Sequence, residues 1–281
     1  MAVTYLQESF GLKISRACGL VSLWRSSLYY NCRDSSADER LRQRLKELSE
    51  QRRRFGCLRL HVLLKREGLV INHKRTERIY REERLSLKLR KRRKRAGGLR
   101  IQLPRAERLN QRWSMDFIHE SLWTGRKFRA LTIVDDYSKE CPRIEVDSSL
   151  TGARVSRVLD QLSELRGLPE TITVDNGPEF SGQILDEWAY RNGVKLNFIE
   201  PGKPTQNAYI ESFNGKFRDE CLNENWFSSM EEARDIIETW RQDYNEVRPH
   251  SSLGNLTPKE FAEKQTTNTE TLTLQTVQSL G

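Results

Sequence analysis

At 281 residues and 36 % hydrophobic content, the chain has material for one large or two modest domains around a lean core. No apolar run of about 20 residues and no secretory leader is present, which argues against a membrane partner and predicts a cytoplasmic bacterial protein. Five scattered cysteines, Cys18, Cys32, Cys57, Cys141 and Cys221, with no CxxC pair, exclude a disulfide framework and argue against a zinc-binding domain.

The formal net charge of +9 is unevenly distributed. Residues 1–100 hold 27 Lys or Arg against 10 Asp or Glu, a net of +17, whereas residues 101–281 hold 21 against 29, a net of −8. A basic front and an acidic rear predict a grip on DNA followed by metal chemistry.

In chain order, Leu12 to Tyr30 predicts a short helix, a turn and a second short helix. Arg54 to Leu85 repeats the pattern more clearly. An apolar stripe through Leu58, Val62 and Leu63 is followed by a break at Gly68, and Asn72 then caps a helix carrying Lys74, Arg75, Arg78 and Tyr80. The basic face of that second helix suits phosphates and base edges, as a recognition helix requires. Two-helix hairpins are also ordinary small-domain cores. Arg90 to Arg95, RKRRKR, with Arg92 and Arg93 at its centre, is suited to lie along a DNA backbone or to serve as a solvated linker.

From Arg112 onward the predicted order is strand 113–122, strand 128–134, strand 142–147, helix 152–166, strand 171–175, helix 181–192, strand 195–199, helix 205–222 and helix 230–246. Three meandering strands followed by alternating helix and strand predict an α/β fold, a mixed sheet flanked by helices and preceded by small helical modules. The division expected is 1–50 an N-terminal helical segment, 51–87 a helix-turn-helix-like DNA-binding module, 88–105 a basic linker, 106–264 the catalytic core and 265–281 a flexible tail.

Three acids carry the chemistry. Asp116 stands in RWSMDFIHE among Trp113, Met115, Phe117 and Ile118, where a charge is costly unless a metal or partner satisfies it. Asp175 ends the strand 171–175 before the turn Asn176-Gly177-Pro178. Glu211 lies in a helix where Tyr209, Phe213 and Phe217 recur at helical spacing. Two strand acids and one helix acid converge if the strands are neighbours and the helix packs over their ends. Three hard carboxylates in one place suit Mg2+ or Mn2+. Any one acid alone reads more simply as a turn residue or a solvated helix residue. Asp135-Asp136 is a rival metal pair, ranked second because Tyr137-Ser138 and the following strand read as a hairpin turn. Arg218, seven residues after Glu211, falls on the same helical face and suits a phosphate, with Lys216 and Lys203 as further phosphate contacts.

The strings TVDNGPEF, PGKPTQNAYIESFNGKFRDECLN and YNEVRPHSSLGNLTP resemble the integrase core of bacterial insertion-sequence transposases, with the close match to the second-frame product, OrfB, of the insertion-sequence-three family. The resemblance covers roughly Gln51 to Phe261 and makes 106–264 an integrase-type catalytic core. It implies a ribonuclease-H-like fold, a triad falling on Asp116, Asp175 and Glu211, and two divalent metal ions. It also implies a basic residue at Arg218 beside the reacting phosphate. The expected partners are the element's terminal repeats, target DNA, further copies of the chain on DNA, and the first-frame product, OrfA, as fusion or partner. Two other readings stand beside transposition: a DNA-binding regulator with an inert core, and a nuclease acting on RNA–DNA hybrids.

Overall fold

The computed structural model describes residues 2–29, 36–87, 104–200 and 207–267. Three helices open the chain, α1 (Ala2–Phe10), α2 (Ile14–Leu20) and α3 (Arg25–Leu28), and they close on a small cluster of Val3, Ala17 and Cys18. Then α4 (Ser36–Gln51), α5 (Cys57–Arg66) and α6 (His73–Glu82) share a larger core built from Leu41, Leu45, Leu60, Leu64, Val70 and Ile79. The helix-turn-helix-like unit therefore draws its core from α4 as well as from residues after 51.

The stripe expected through Leu58, Val62 and Leu63 is corrected. Leu60, Leu63 and Leu64 are buried, at helical positions i, i+3 and i+4, while Leu58 is 73 % exposed. The break at Gly68 has φ +73°, a conformation glycine adopts without strain. Asn72 caps α6, its Oδ1 accepting the Lys74 N–H at 3.0 Å.

The second half is a five-stranded sheet of β1 (Arg112–Ser121), β2 (Lys127–Asp135), β3 (Arg143–Asp147), β4 (Thr171–Val174) and β5 (Lys195–Phe198), ordered β3-β2-β1-β4-β5. The first three form the antiparallel meander, and β4 and β5 add in parallel beside β1. Four helices cover it: α7 (Gly152–Arg166), α8 (Gln183–Asn192), α9 (Ala208–Glu220) and α10 (Met230–Glu246).

The two-residue side-chain period of the strands sorts each into two faces. Trp113, Met115, Leu131, Ile133, Ile172 and Val174 pack with α7 and α8. Ile118, Ala130, Val134, Ile144 and Val146 pack with Ile210, Phe213 and Phe217 of α9 and with α10. On strands whose odd or even positions are so committed, Ser114 and Asp116 follow Ile118, and Thr173 is succeeded two residues later by Asp175, so both acids belong to the α9 side. No helix among the described residues is long and apolar enough to cross a membrane.

The rival pair is accounted for by the turn after β2. Asp135 Oδ1 accepts the N–H groups of Tyr137 and Ser138, both at 2.9 Å, and its Oδ2 accepts that of Asn110 at 2.8 Å. Asp136 is held by Arg112 Nε at 2.5 Å and Ser114 Oγ at 2.8 Å. Removing the carboxylate in Asp136→Ala strands a largely buried guanidinium and should lower the unfolding free energy by about 3 kcal/mol. Urea titration reads this as a lower midpoint at unchanged slope; an unchanged midpoint with lost DNA cleavage would return the pair to metal binding.

Candidate active site

The parallel register that pairs Ser114 with Thr173 runs toward Asp116, two residues further along β1, and Asp175, the residue after the end of β4. Helix α9 packs on the same face through Ile210, Phe213 and Phe217, carrying Glu211 in its first turn. Of the two conditions for convergence, the strands are neighbours, and α9 packs over β1 and β2.

Asp116 is held from two sides. Its Oδ1 accepts the Phe117 N–H at 2.8 Å, and its Oδ2 accepts the Asn214 side-chain amide at 2.8 Å. Thr132 Oγ1 stands 3.0 Å from Asn214 Oδ1 and 3.1 Å from the Asp116 carbonyl oxygen, linking helix, strand and acid. Burial pushes the Asp116 carboxyl up to about 6. The Phe117 and Asn214 hydrogen bonds oppose the shift, and the carboxylates of Asp175 and Glu211 add to it. Among the described residues, no three His, Cys, Asp or Glu side chains form a ready-made metal cage. The charges of Asp175 and Glu211 both act on Asp116, and Glu211 is exposed.

The Asp175 loop is pinned locally. Its Oδ1 accepts the Gly177 N–H at 3.0 Å, and a Cβ at Gly177 would lie 2.9 Å from that same oxygen, so a larger residue there would push the Asp175 carboxylate aside. Beyond it, Glu179 pairs with Arg129, whose guanidinium sits 4.3 Å from the centre of the Phe117 ring, and Phe117 stacks on Phe180 at 4.7 Å. Asn214, Thr132 and the Arg129–Glu179 pair were not singled out from sequence. For Asn214 the signal was present: three residues after Glu211, it shares the helix face.

The expected DNA-contacting residues are dispersed. Arg218 is exposed on the last turn of α9. Lys216 is half-buried, and desolvation holds its ammonium down at about 8. On α6, Lys74 is exposed, whereas Arg75 and Arg78 both pair with Asp38 of α4, at 2.5 Å each. The face expected to be basic is thus partly neutralised within the module. Lys203, Arg92 and Arg93 lie outside the described residues.

Residues 106–204 and 192–258 match models of the integrase core domain, and residues 36–95 match an HTH-like domain. The chain is 51 % identical over 261 residues to an uncharacterized 31.7 kDa protein of insertion element IS407 from Burkholderia multivorans (strain ATCC 17616 / 249), covering 92 % of this chain and 94 % of the relative. It is 24 % identical over 279 residues to the transposase InsF for insertion sequence IS3A of Escherichia coli (strain K12), covering 92 % and 96 %. By structure it is similar to a chain of the simian T-cell lymphotropic virus intasome, determined by cryo-electron microscopy with PP2A regulatory subunit B56 gamma. The TM-score is 0.50 at 16 % identity, over 78 % of this chain and 73 % of that one.

Sheet order, flanking helices and helical front define a ribonuclease-H-like integrase core behind a helix-turn-helix-like module. The chain belongs to the transposases of bacterial insertion elements that carry this core, proteins of DNA integration and transposition.

The raised Asp116 carboxyl has a consequence for stability. Its folded pKa of about 6 exceeds the ordinary carboxylate value, so the folded chain binds more protons than the unfolded one between about pH 4 and 6, and stability falls as pH rises through that window. In metal-free buffer, Asp116→Asn should therefore be more stable than the parent at pH 7, by up to about 2 kcal/mol. The gain should vanish near pH 4. Thermal unfolding across pH measures it, and a gain independent of pH would refute the electrostatic origin.

Proposed function

We propose that this chain is the second-frame product, OrfB, of an insertion-sequence-three type element, and that Asp116, Asp175 and Glu211 hold two divalent ions, Mg2+ or Mn2+, to cut the element's ends and join them to target DNA. The observation that supports this most is the Asp116 carboxyl, raised by burial and by both other acids. Negative charge gathered this way on hard oxygen donors is relieved by a divalent cation. When bound, such ions activate a water or a DNA 3′-OH and stabilise the departing oxygen.

The protein groups do the positioning. Asn214 and the Phe117 N–H orient Asp116, and the Gly177 N–H orients Asp175. Arg218, two turns along α9 from Glu211, faces the same side and holds a phosphate near the reacting end. In this reading a metal-held water or a DNA 3′-OH would be the nucleophile, so no covalent protein–DNA intermediate is expected. Lys74 and the Arg90–Arg95 run grip the DNA backbone. In this reading the chain acts in the bacterial cytoplasm, as an oligomer on DNA, with the first-frame product OrfA as fusion or partner.

Asp116→Asn, Asp175→Asn and Glu211→Gln should each abolish nicking and strand transfer on element-end DNA with Mg2+ or Mn2+ while leaving binding largely intact, since affinity rests on Lys and Arg. Near-normal strand transfer by any one of them overturns the triad assignment, and absence of any metal-dependent cleavage by the parent leaves the regulator reading in place.

Arg218→Ala should lower the joining rate at saturating DNA more than it lowers affinity. A solvated residue would change stability by under about 0.5 kcal/mol and the rate not at all.

A further inference from the structure

Where the helix-turn-helix-like unit meets the core, a pocket of about 580 Å³ opens between α5, the end of α9 and the segment after α10. Four cations, Arg54, Arg59, Lys216 and Arg248, line it together with Ser251 and Ser252. Lys216 lies five residues after Glu211, about 7.5 Å along the helix but about 140° around it, so this is a different face from the one bearing the acids.

The charge in this pocket does not balance. Glu220 accepts from Arg248 at 2.6 and 2.7 Å and from Arg59 at 3.2 Å, so one carboxylate serves two guanidinium groups. Arg54 is taken by Glu224 at 2.7 Å. Lys216 makes no hydrogen bond or ion pair among the described residues. His250 contributes no charge: burial holds its pKa down at about 2, and its Nε2 lies 3.4 Å from the Arg248 guanidinium. Three cations therefore stand around a single anion. Desolvation first, and then Arg248, lowers the basicity of both Lys216 and Arg59, as expected where positive charge lacks a counter-ion.

We infer that this junction pocket is a phosphate subsite, in which Lys216 and Arg59, with Ser251 and Ser252, take one backbone phosphate of the DNA running from the helix-turn-helix-like unit to the acids, while Arg248 stays on Glu220 and supplies positive charge from behind. The inference rests on the transposase reading for its ligand. It is carried by the unpaired Lys216 and by the position of the pocket between the two parts of the chain. An ammonium, a guanidinium fork and two hydroxyls are the donors a tetrahedral phosphate accepts from. A phosphate held there fixes the register of the duplex without reading its sequence.

The test uses the full chain and element-end duplex in EDTA buffer, so that binding is read without any cleavage. Lys216→Gln should weaken binding about tenfold, and the slope of log affinity against log salt should fall by about one. Lys216→Arg should restore both. Ser252→Glu, which adds a carboxylate to the lining, should reproduce the loss with an unchanged thermal midpoint.

A scan of single uncharged methylphosphonate linkages should find one position that weakens the parent about tenfold and Lys216→Gln no further. Unchanged affinity and slope in Lys216→Gln, or losses that add at every linkage, would overturn the subsite. A thermal shift with inorganic phosphate alone that Lys216→Gln removes would assign the pocket to free phosphate and overturn the DNA assignment. Failure of the triad reading would show instead as nicking that survives Asp116→Asn, with this coupling intact.

Discussion

The seating of α9 on the sheet is the contact on which the catalytic end depends. Ile210, Phe213 and Phe217 are fully buried against the α9 side of the strands, and Phe213 meets the ring of Tyr244 edge-on at 4.9 Å while Phe217 lies 4.9 Å from that of Trp240. Burying three large side chains in this way contributes several kcal/mol. That apolar stripe fixes the rotation of the helix. With the rotation fixed, Asn214 reaches Asp116 and Glu211 is left exposed. A polar constellation that would repel itself is thus positioned by hydrophobic packing a turn away.

The uneven charge of the chain serves two ends. Part of the positive front is spent inside the molecule: Arg52 pairs with Asp243, Arg54 with Glu224, Arg59 with Glu220 and Arg66 with Glu260, each joining the helix-turn-helix-like unit to the acidic core. Asp38 likewise occupies Arg75 and Arg78. Partly exposed pairs of this kind are individually weak and salt-sensitive. They orient the two parts more than they stabilise them, and the charge left over is what remains for a polyanion.

Much of this was legible in the sequence. Every strand and helix from Arg112 to Glu246 lies within a few residues of its expected span, because β-branched alternation, Gly and Pro breaks and aromatic spacing there agree with one another. The neighbouring of β1 and β4 entered only as a condition for the acids to converge, and the parallel register supplies it. Other features were not legible. The phase of the apolar stripe on α5 was misjudged because Leu58 looks like core until α4 is known to cover the other side. The pairing of Arg75 and Arg78 with Asp38 spans about 40 residues, and local pattern has no access to such contacts. The same holds for Asn214 and Asp116, 98 positions apart.

The two-residue period of β1 makes the site unusually sensitive to reading length. Asp116 shares the α9 face with Ile118 because an even number of residues separates them, and the partners across β2 and β4 are set by the same register. A gene copy that gained or lost one codon between those two positions would keep its composition, its charge and nearly all its motifs. It would nevertheless turn the carboxylate toward α7 and α8, into the layer of Leu131 and Ile133, and turn Trp113 and Met115 out of it. Silencing of such a copy would leave no stop codon and no missing acid, only a change of parity in one strand.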